Sequence, residues 1–345
     1  MGGLVGDDRA RDRHRHRRPG AAPDRPFRAP AEPVVRTRVA VVGGGRSCEH
    51  DVSLASAAAV AAGLDPHRYD VVRLTIGRDG AWRDGDRPVG LAAAVEVLRR
   101  CDVVFPVAHG PHGEDGTLAA LCELAGVPYV GSGVRAGALA MDKWATKLVA
   151  AALGIATAAG RLVTAATATQ ETWTGPVVVK PVAAGSSIGV AFVSEPASLP
   201  PALATALALD DRALVEELVT GREIDVAVLR RADGAVVASP PLEIVADGLF
   251  DFDAKYGGRA DFRVPAVLDE VDAKALEGAA VATYDALGCS GVARVDFFLT
   301  DTGPVLNEVN TVPGMTEHSQ VPRMFAAAGL PYPDLLDELV CGAHR

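Results

Sequence analysis

Residues 293–314 read ARVDFFLTDTGPVLNEVNTVPG, and the pairing of this stretch decides the fold. Two strand-like runs flank a short turn, as in a β-hairpin. Strand side chains alternate between faces, so Arg294 and Asp296 share one face, and so do Glu308 and Asn310. Val295, Phe297 and Val309 point to the other face. The hairpin thereby gathers two carboxylates, an amide and a guanidinium on neighbouring strands. Hard oxygen donors in this arrangement suit one or two Mg2+ ions bridging nucleotide phosphates, and Arg294 suits a developing oxyanion or phosphate charge. The same residues would also make a surface ion-pair patch, so their meaning depends on what else the chain supplies.

A second stretch narrows the choice. Lys180–Val190 reads KPVAAGSSIGV, a lysine five residues before a Gly-Ser-Ser-x-Gly turn. Glycine lets a backbone approach closely, and serine hydroxyls and free N–H groups can hydrogen-bond phosphate oxygens. It is not a Walker loop, which places its lysine after the last glycine and ahead of a helix. Here the apolar run GPVVVK leads in and GVAFV leads out, so the setting is strand, loop, strand: a flap, or else a plain hairpin connection.

The 345 residues suffice for two or three domains of about 100–150 residues. Hydrophobic residues make up 49% and charged ones 23%, and no apolar run approaches the roughly 18 residues of a membrane span, so a cytoplasmic protein is expected. The five cysteines (48, 101, 122, 289, 341) are widely spaced with no C-x-x-C pair, which predicts reduced thiols rather than disulfides or zinc. The net charge of -10 is uneven. Residues 1–38 hold ten arginines against four aspartates and one glutamate, leaving a more acidic body that argues against nucleic-acid binding. Residues 1–36 carry almost no large apolar side chain and are expected to be disordered. They serve either as a basic arm for an acidic partner or lie upstream of the true start, with Val34 or Val35 as the alternative.

Along the rest of the chain, Val39–Val42 reads as a strand, followed by a glycine turn and a helix from near Ser53. Strands at YDVVRLTIG and DVVFPVAHG, a hairpin at GRDGAWR and a helix at LAAAVEVLRR continue an open parallel α/β sheet, whose ligand loops lie at strand carboxyl ends. A helix is predicted over MDKWATKLVAAALGI, followed by strands RLVTA, GPVVVKP, ALVEELV, EIDVAVLRR and AVVASPPLEIV. The segment 247–264 has no clear period, and so long a loop suggests function. A helix at DAKALEGAAVATYDALG precedes the opening hairpin.

These motifs carry a resemblance. MDKWATK, VVVKPVAAGSSIGV, ALVEELVTGREIDVAVL, FDFDAKY, ARVDFFL and LNEVNTVPGMTEHS, in this order, with GGRSCEHDVSL, HGPHGEDGT and VPYVGSG before them, resemble the D-alanine-D-alanine ligase family of ATP-grasp enzymes. The likeness runs from Val39 to about Leu339. It implies an α/β ATP-grasp fold in three domains: an N-terminal open-sheet domain (37–138), a central subdomain with a lid (139–224) and a C-terminal subdomain with the metal and substrate site (225–345). It implies ligation of two D-alanines, through an acyl phosphate, for peptidoglycan precursors.

Residue by residue, the resemblance implies that Lys143 and Lys180 contact ATP phosphate and adenine, as cationic side chains converging from two strands. Glu216, Glu217, Leu218 and Val219 would form the adenine-reading hinge, and Glu223 would hold the ribose. Asp296, Glu308 and Asn310 would ligate Mg2+, two ions or Mn2+ in its place, while Ser186 and Ser187 close over the phosphates. Arg294 and the Gly314 N–H would stabilise the tetrahedral oxyanion. Glu49 would bind the first ammonium and join Ser186 and Tyr256 in locking the loop, with Lys255 reaching the γ-phosphate. His109 would lie near the second substrate and Ser319 would bind its carboxylate. The pair Lys255–Tyr256 favours an amine acceptor over D-lactate. Similar ligases imply a homodimer.

Departures from the family pattern stand at Glu317, at Gln320 and in the flap segment Val182–Ala184. Gln320 adjoins Ser319, which predicts a more polar pocket for the second substrate and leaves open D-serine or another amino acid as acceptor. Two rivals follow: a paralogous ligase for specialised biosynthesis or self-protection, and a non-catalytic ATP sensor. The complete set Lys143, Lys180, Arg294, Asp296, Glu308 and Asn310 speaks against the sensor.

Overall fold

The structure, a computed structural model, describes residues 36–245 and 261–343. The N-terminal tail, Lys255, Tyr256 and most of the segment 247–264 lie outside the described residues. What is described builds three sheets.

The first sheet holds β1 (Thr37–Gly44), β2 (Tyr69–Ile76), β3 (Trp82–Asp84), β4 (Arg87–Val89) and β5 (Val103–Pro106) in the order β4-β3-β2-β1-β5. Strand β1 runs parallel to both β2 and β5. Its interior place, between β2 and β5, follows from its composition: Val39–Val42 is an unbroken apolar run, and a strand covered on both faces needs one. Helices α1 (His50–Gly63), α2 (Leu91–Leu98) and α3 (Thr117–Ala125) accompany it. Helix α1 begins three residues before the expected Ser53, because Glu49 takes the N-cap position. The turn into it needs glycine at Gly44, where φ is 89° and a Cβ would lie 2.2 Å from the Ile76 carbonyl oxygen.

The helix predicted over residues 141–155 forms as α5 (Lys143–Ala152), and a helix the sequence reading did not place, α4 (Val134–Met141), precedes it. Asp142 leaves helical geometry between them, and its side chain accepts from the Ala145 N–H at 2.8 Å. An aspartate that caps α5 sets its start two residues inside the predicted span.

Strand β6 (Ala156–Thr157) joins the third sheet, whereas β7 (Gly160–Thr164), β8 (Val177–Pro181), β9 (Ala191–Val193) and β10 (Arg212–Glu217) form the second in the order β7-β10-β8-β9. Helix α6 (Leu199–Leu209) covers that sheet, packing Leu203 and Ala206 against Val163, Val179 and Val215. The third sheet contains β11 (Arg222–Arg230), β12 (Val236–Ala238), β13 (Leu242–Val245), β14 (Asp261–Arg263), β15 (Val292–Thr300) and β16 (Gly303–Asn310). The chain therefore passes from the second sheet to the third between residues 217 and 222. Helix α7 (Glu270–Leu287) lies on one face, with Leu276, Tyr284 and Leu287 against Val226, Val295 and Phe297. Helices α8 (Gln320–Ala327) and α9 (Tyr332–Cys341) cover the other, in a core that also takes Val39 and Val41 from β1. That shared core joins the first sheet to the third.

The opening hairpin is β15–β16. Arg294 pairs with Asn310 and Asp296 with Glu308, after which the register shifts so that Phe297 faces Leu306. Asn307 is the extra residue, and such a bulge re-aims side chains beside a site. Val295, Phe297 and Val309 enter the core on the opposite face, as strand alternation predicts.

Candidate active site

A cavity of about 460 Å³, within the range of small-molecule sites, opens between the second and third sheets. It is lined by Lys143, Lys180, Ser187, Glu216–Val219, Glu223, Arg294, Asp296 and Glu308. Asn310, Glu49, Ser186, His109, Gly314, Ser319 and Gln320 stand beyond its lining, and Lys255 and Tyr256 lie outside the described residues.

The lysines do not converge from two strands. Lys180 is on β8, but Lys143 is the first residue of α5, where the Asp142 cap aims it at the flap. Its Nζ donates to the Ala184 carbonyl at 2.8 Å and lies 3.3 Å from Glu308 Oε2. Lys180 Nζ lies 2.7 Å from Glu216 Oε2 and 3.3 Å from Asn307 Oδ1. Lys147, one turn beyond Lys143 on the same helix face, completes the group: its Nζ lies 2.7 Å from Glu216 Oε1 and donates to the Ala158 carbonyl at 2.7 Å. Burial pushes the Glu216 carboxyl up, but Lys180 and Lys147 outweigh it and hold it below the ordinary value. Burial likewise lowers Lys147, against the pull of Glu216. Sequence reading missed Lys147, although its i,i+4 spacing from Lys143 was there to be read.

The flap is folded down. Ser186 and Ser187 adopt φ of 50° and 58°, a left-handed conformation that costs non-glycine residues about 1–2 kcal/mol each. Ser186 Oγ donates to Glu49 Oε1, and Ala183 N–H donates to Asp210 Oδ2 at 2.6 Å. Gly185 permits the approach, since a Cβ there would lie 2.7 Å from Glu49 Oε2. The loop between β8 and β9 is thus latched to the N-cap of α1.

Arg294 donates from Nε and Nη2 to both Asp296 oxygens at 2.7 and 2.6 Å. Burial alone would lower its pKa, but Asp296 and Asp225 raise it well above the ordinary value, so it is a permanent cation. Asp225 Oδ2 lies 3.3 Å from Nε, and Gln320 bridges Arg294 to Asp225. Gln320 is therefore directed at the arginine, where sequence reading placed it in the second substrate's pocket. Asn310 Oδ1 accepts from the Val312 N–H at 3.0 Å. Ser319 Oγ lies 2.7 Å from the Thr316 hydroxyl, beside Gly314. His109, in contrast to a substrate-facing base, is nearly fully buried, with Nδ1 2.7 Å from the Val312 carbonyl and Nε2 3.4 Å from Ser56 Oγ. Burial lowers its pKa despite the pull of Glu49, so its imidazole is neutral and ties the first sheet to the loop after β16.

Asp296 and Glu308 face each other across β15 and β16, and among the described residues Arg294 and Lys143 are cations that bond them. Two carboxylates and an amide oxygen on adjacent strands are hard donors that fit a divalent cation. Among the described residues, no group of three or more His, Cys, Asp or Glu side chains forms a metal cluster, so further ligands would have to come from the nucleotide.

Glu114, in the loop before α3, escaped sequence reading. The residue is partly exposed, yet its Oε2 is sealed from solvent with no hydrogen-bond partner among the described residues. Burial, then Glu49, push the carboxyl up from 4.5 to about 8, against the Gly110 backbone and Lys143. The folded protein thus binds this proton more tightly than the unfolded chain, and the stability it confers is present in acid and lost as pH rises from about 4.5 to about 8. Urea unfolding from pH 5 to 8 is expected to show wild type losing on the order of a few kcal/mol relative to Glu114→Gln. Parallel curves would contradict that.

Two sheets closing on a nucleotide-sized cavity under a latched serine flap define an ATP-grasp ligase. The family model for the D-ala D-ala ligase C-terminus matches residues 153–341, and that for the D-ala D-ala ligase N-terminus matches 38–92 and 88–132. The chain belongs to the D-alanine–D-alanine ligase family. A D-alanine–D-alanine ligase of Mycolicibacterium smegmatis is 44% identical, over 90% of this chain and 96% of the relative. The solved VanG D-Ala:D-Ser ligase from Enterococcus faecalis is 34% identical with a TM-score of 0.79, covering 89% of this chain and 99% of its own. The Bacillus anthracis D-alanine–D-alanine ligase complexed with ATP is 28% identical with a TM-score of 0.73, over 89% and 97%. No helix among the described residues is long and apolar enough to cross a membrane.

Proposed function

We infer that the chain joins two D-alanines into D-alanyl-D-alanine, with ATP converted to ADP and phosphate, for peptidoglycan precursor synthesis in the cytoplasm. The latch between Ser186 and Glu49 carries this reading, because it brings the flap over the cavity against the N-terminal loop that would hold an amino acid. A carboxylate oxygen of the first D-alanine attacks the γ-phosphorus and ADP leaves. The amine of the second D-alanine attacks the resulting acyl phosphate, its proton is released, and phosphate leaves. Lys143 and Lys180 orient the phosphates, Glu216–Val219 and Glu223 hold the nucleoside, and Glu49 binds the first ammonium. Arg294 and the Gly314 N–H stabilise the tetrahedral oxyanion. Ser319 binds the second carboxylate. Asp296, Glu308 and Asn310 would hold one or two Mg2+ ions, or Mn2+, which offset phosphate charge. By the family resemblance Lys255 would contact the γ-phosphate and Tyr256 would join Glu49 and Ser186, and the protein works as a homodimer.

A different second amino acid was suggested by Gln320 and Glu317. The Gln320 amide is engaged by Arg294 and Asp225 and Glu317 is exposed, which favours D-alanine. The test is phosphate release with Mg-ATP against D-Ala, D-Ser, L-Ala and D-lactate, with products identified by mass spectrometry. Release with D-Ala alone, yielding the dipeptide, is expected. Release only when D-Ala is paired with another amino acid would move the protein to the paralogous ligases, and binding of ATP without turnover on any pair would favour a sensor.

A further inference from the structure

Asp225 on β11 pairs directly across from Asp296 on β15, and both are nearly fully buried. Like charges directly opposite repel, and burial sharpens the repulsion. Arg294 lies between them. Its Nε donates to Asp296 Oδ1 at 2.7 Å while Asp225 Oδ2 stands 3.3 Å from the same nitrogen. A guanidinium between two buried anions has two competing seats, and moving between them would carry its terminal nitrogens with it.

Gln320, the first residue of α8, decides the competition. Its Oε1 accepts from Arg294 Nη1 at 2.7 Å and its Nε2 donates to Asp225 Oδ2 at 2.8 Å. Asp225 therefore has a donor other than Nε, and Nη1 has an acceptor that is not an anion. Arg294 keeps its two-pronged bond to Asp296, leaving further N–H groups on its terminal nitrogens for a ligand. A leucine at this position would fill similar space and supply neither bond. A glutamate would add a third anion facing Asp225.

We propose that Gln320 and Asp225 form a clamp that fixes the Arg294 guanidinium for the ligation step, acting through the arginine as positioning residues. The clamp builds on the assignment of Arg294 as the oxyanion cation, and it makes the polar residue at 320 a device for the arginine rather than for choosing the second amino acid.

The test is a set of four purified full-length variants: Gln320→Leu, Gln320→Glu, Asp225→Asn, and the double Asp225→Asn/Gln320→Glu. The double keeps the net charge and both hydrogen bonds while exchanging donor and acceptor. Each single is expected to lower kcat about tenfold, with KM for ATP and D-Ala within about twofold, and the double to recover to within about threefold of wild type. The preference for D-Ala over D-Ser should not move in any of them. Melting temperature and calorimetric ATP binding identify the folded variants, and if Gln320→Leu does not fold, the recovery of the double over Gln320→Glu carries the test. Wild-type kcat in Gln320→Leu, a double no better than its worse single, or an altered D-Ala to D-Ser ratio would each overturn the clamp. Arg294→Lys separates the two levels: if it turns over like wild type, the oxyanion assignment itself is lost, whereas a slow Arg294→Lys beside a fast Gln320→Leu removes only the clamp.

Discussion

Replacing Arg294 with alanine is expected to lower kcat by about 10²–10³-fold while ATP still binds, because a donor aimed at developing charge is worth about 3–4 kcal/mol in a closed site. The guanidinium suits that work: it is buried, permanently charged, and held along one edge by both oxygens of Asp296. The substitution has a second consequence. It leaves Asp225 and Asp296 opposite each other without their shared cation, and uncompensated buried charge costs about 3–5 kcal/mol of stability. A lower melting temperature must therefore accompany the loss of rate. Arg294→Lys retains the charge but not the planar fork, and is expected to fold better while remaining about a hundredfold slow. Steady-state phosphate release and direct ATP titration of both variants decide the matter. If Arg294→Lys matched wild type, a point charge would suffice and the fork would have no role in the chemistry.

What the sequence revealed and what it hid divide along one line. Features set within a single strand or helix could be read from it. The alternation that puts Arg294 and Asp296 on one face holds, as does the burial of Val295, Phe297 and Val309 on the other. The flap was recognisable because two runs of β-propensity enclose a Gly-Ser-Ser turn. Features that depend on which non-consecutive strands pair were not legible. Asp225 became part of the site only because β11 lies beside β15, some seventy residues later in the chain, in a register that sets it opposite Asp296. Asn307 reaches Lys180 because the hairpin register slips by one residue after Asp296, and nothing in LNEVN announces a bulge. The start of α5 was read at Met141 rather than Lys143 for a different reason: the cap that sets it is a property of one side chain reaching the Ala145 N–H. Gln320 was noticed as a departure, but its partners lie on two other elements, so its direction could not be inferred from its neighbour Ser319.

Loosening the flap should reveal what the latch is for. An acyl phosphate exposed to water hydrolyses, so a ligase whose lid closes poorly should release phosphate without making a peptide bond. Ser186→Ala removes the hydroxyl that donates to Glu49, and Gly185→Ala inserts a Cβ where only 2.7 Å separates it from Glu49 Oε2. The two substitutions attack one contact by different means, loss of a bond in the first and steric displacement in the second. Both also act on a segment whose serines already occupy the left-handed region at φ of 50° and 58°, so few alternative conformations would keep the flap down once the contact is gone. Dipeptide formed per phosphate released is expected to fall well below one in both variants, and kcat/KM for D-Ala to fall roughly tenfold to a hundredfold. Glu49→Gln keeps an acceptor for Ser186 but loses the charge that would bind an ammonium, so it should raise KM for D-Ala with coupling largely preserved. A ratio that stayed at one in Ser186→Ala and Gly185→Ala, whatever their rates, would mean that water is excluded by something other than the latch and that the contact only positions substrate.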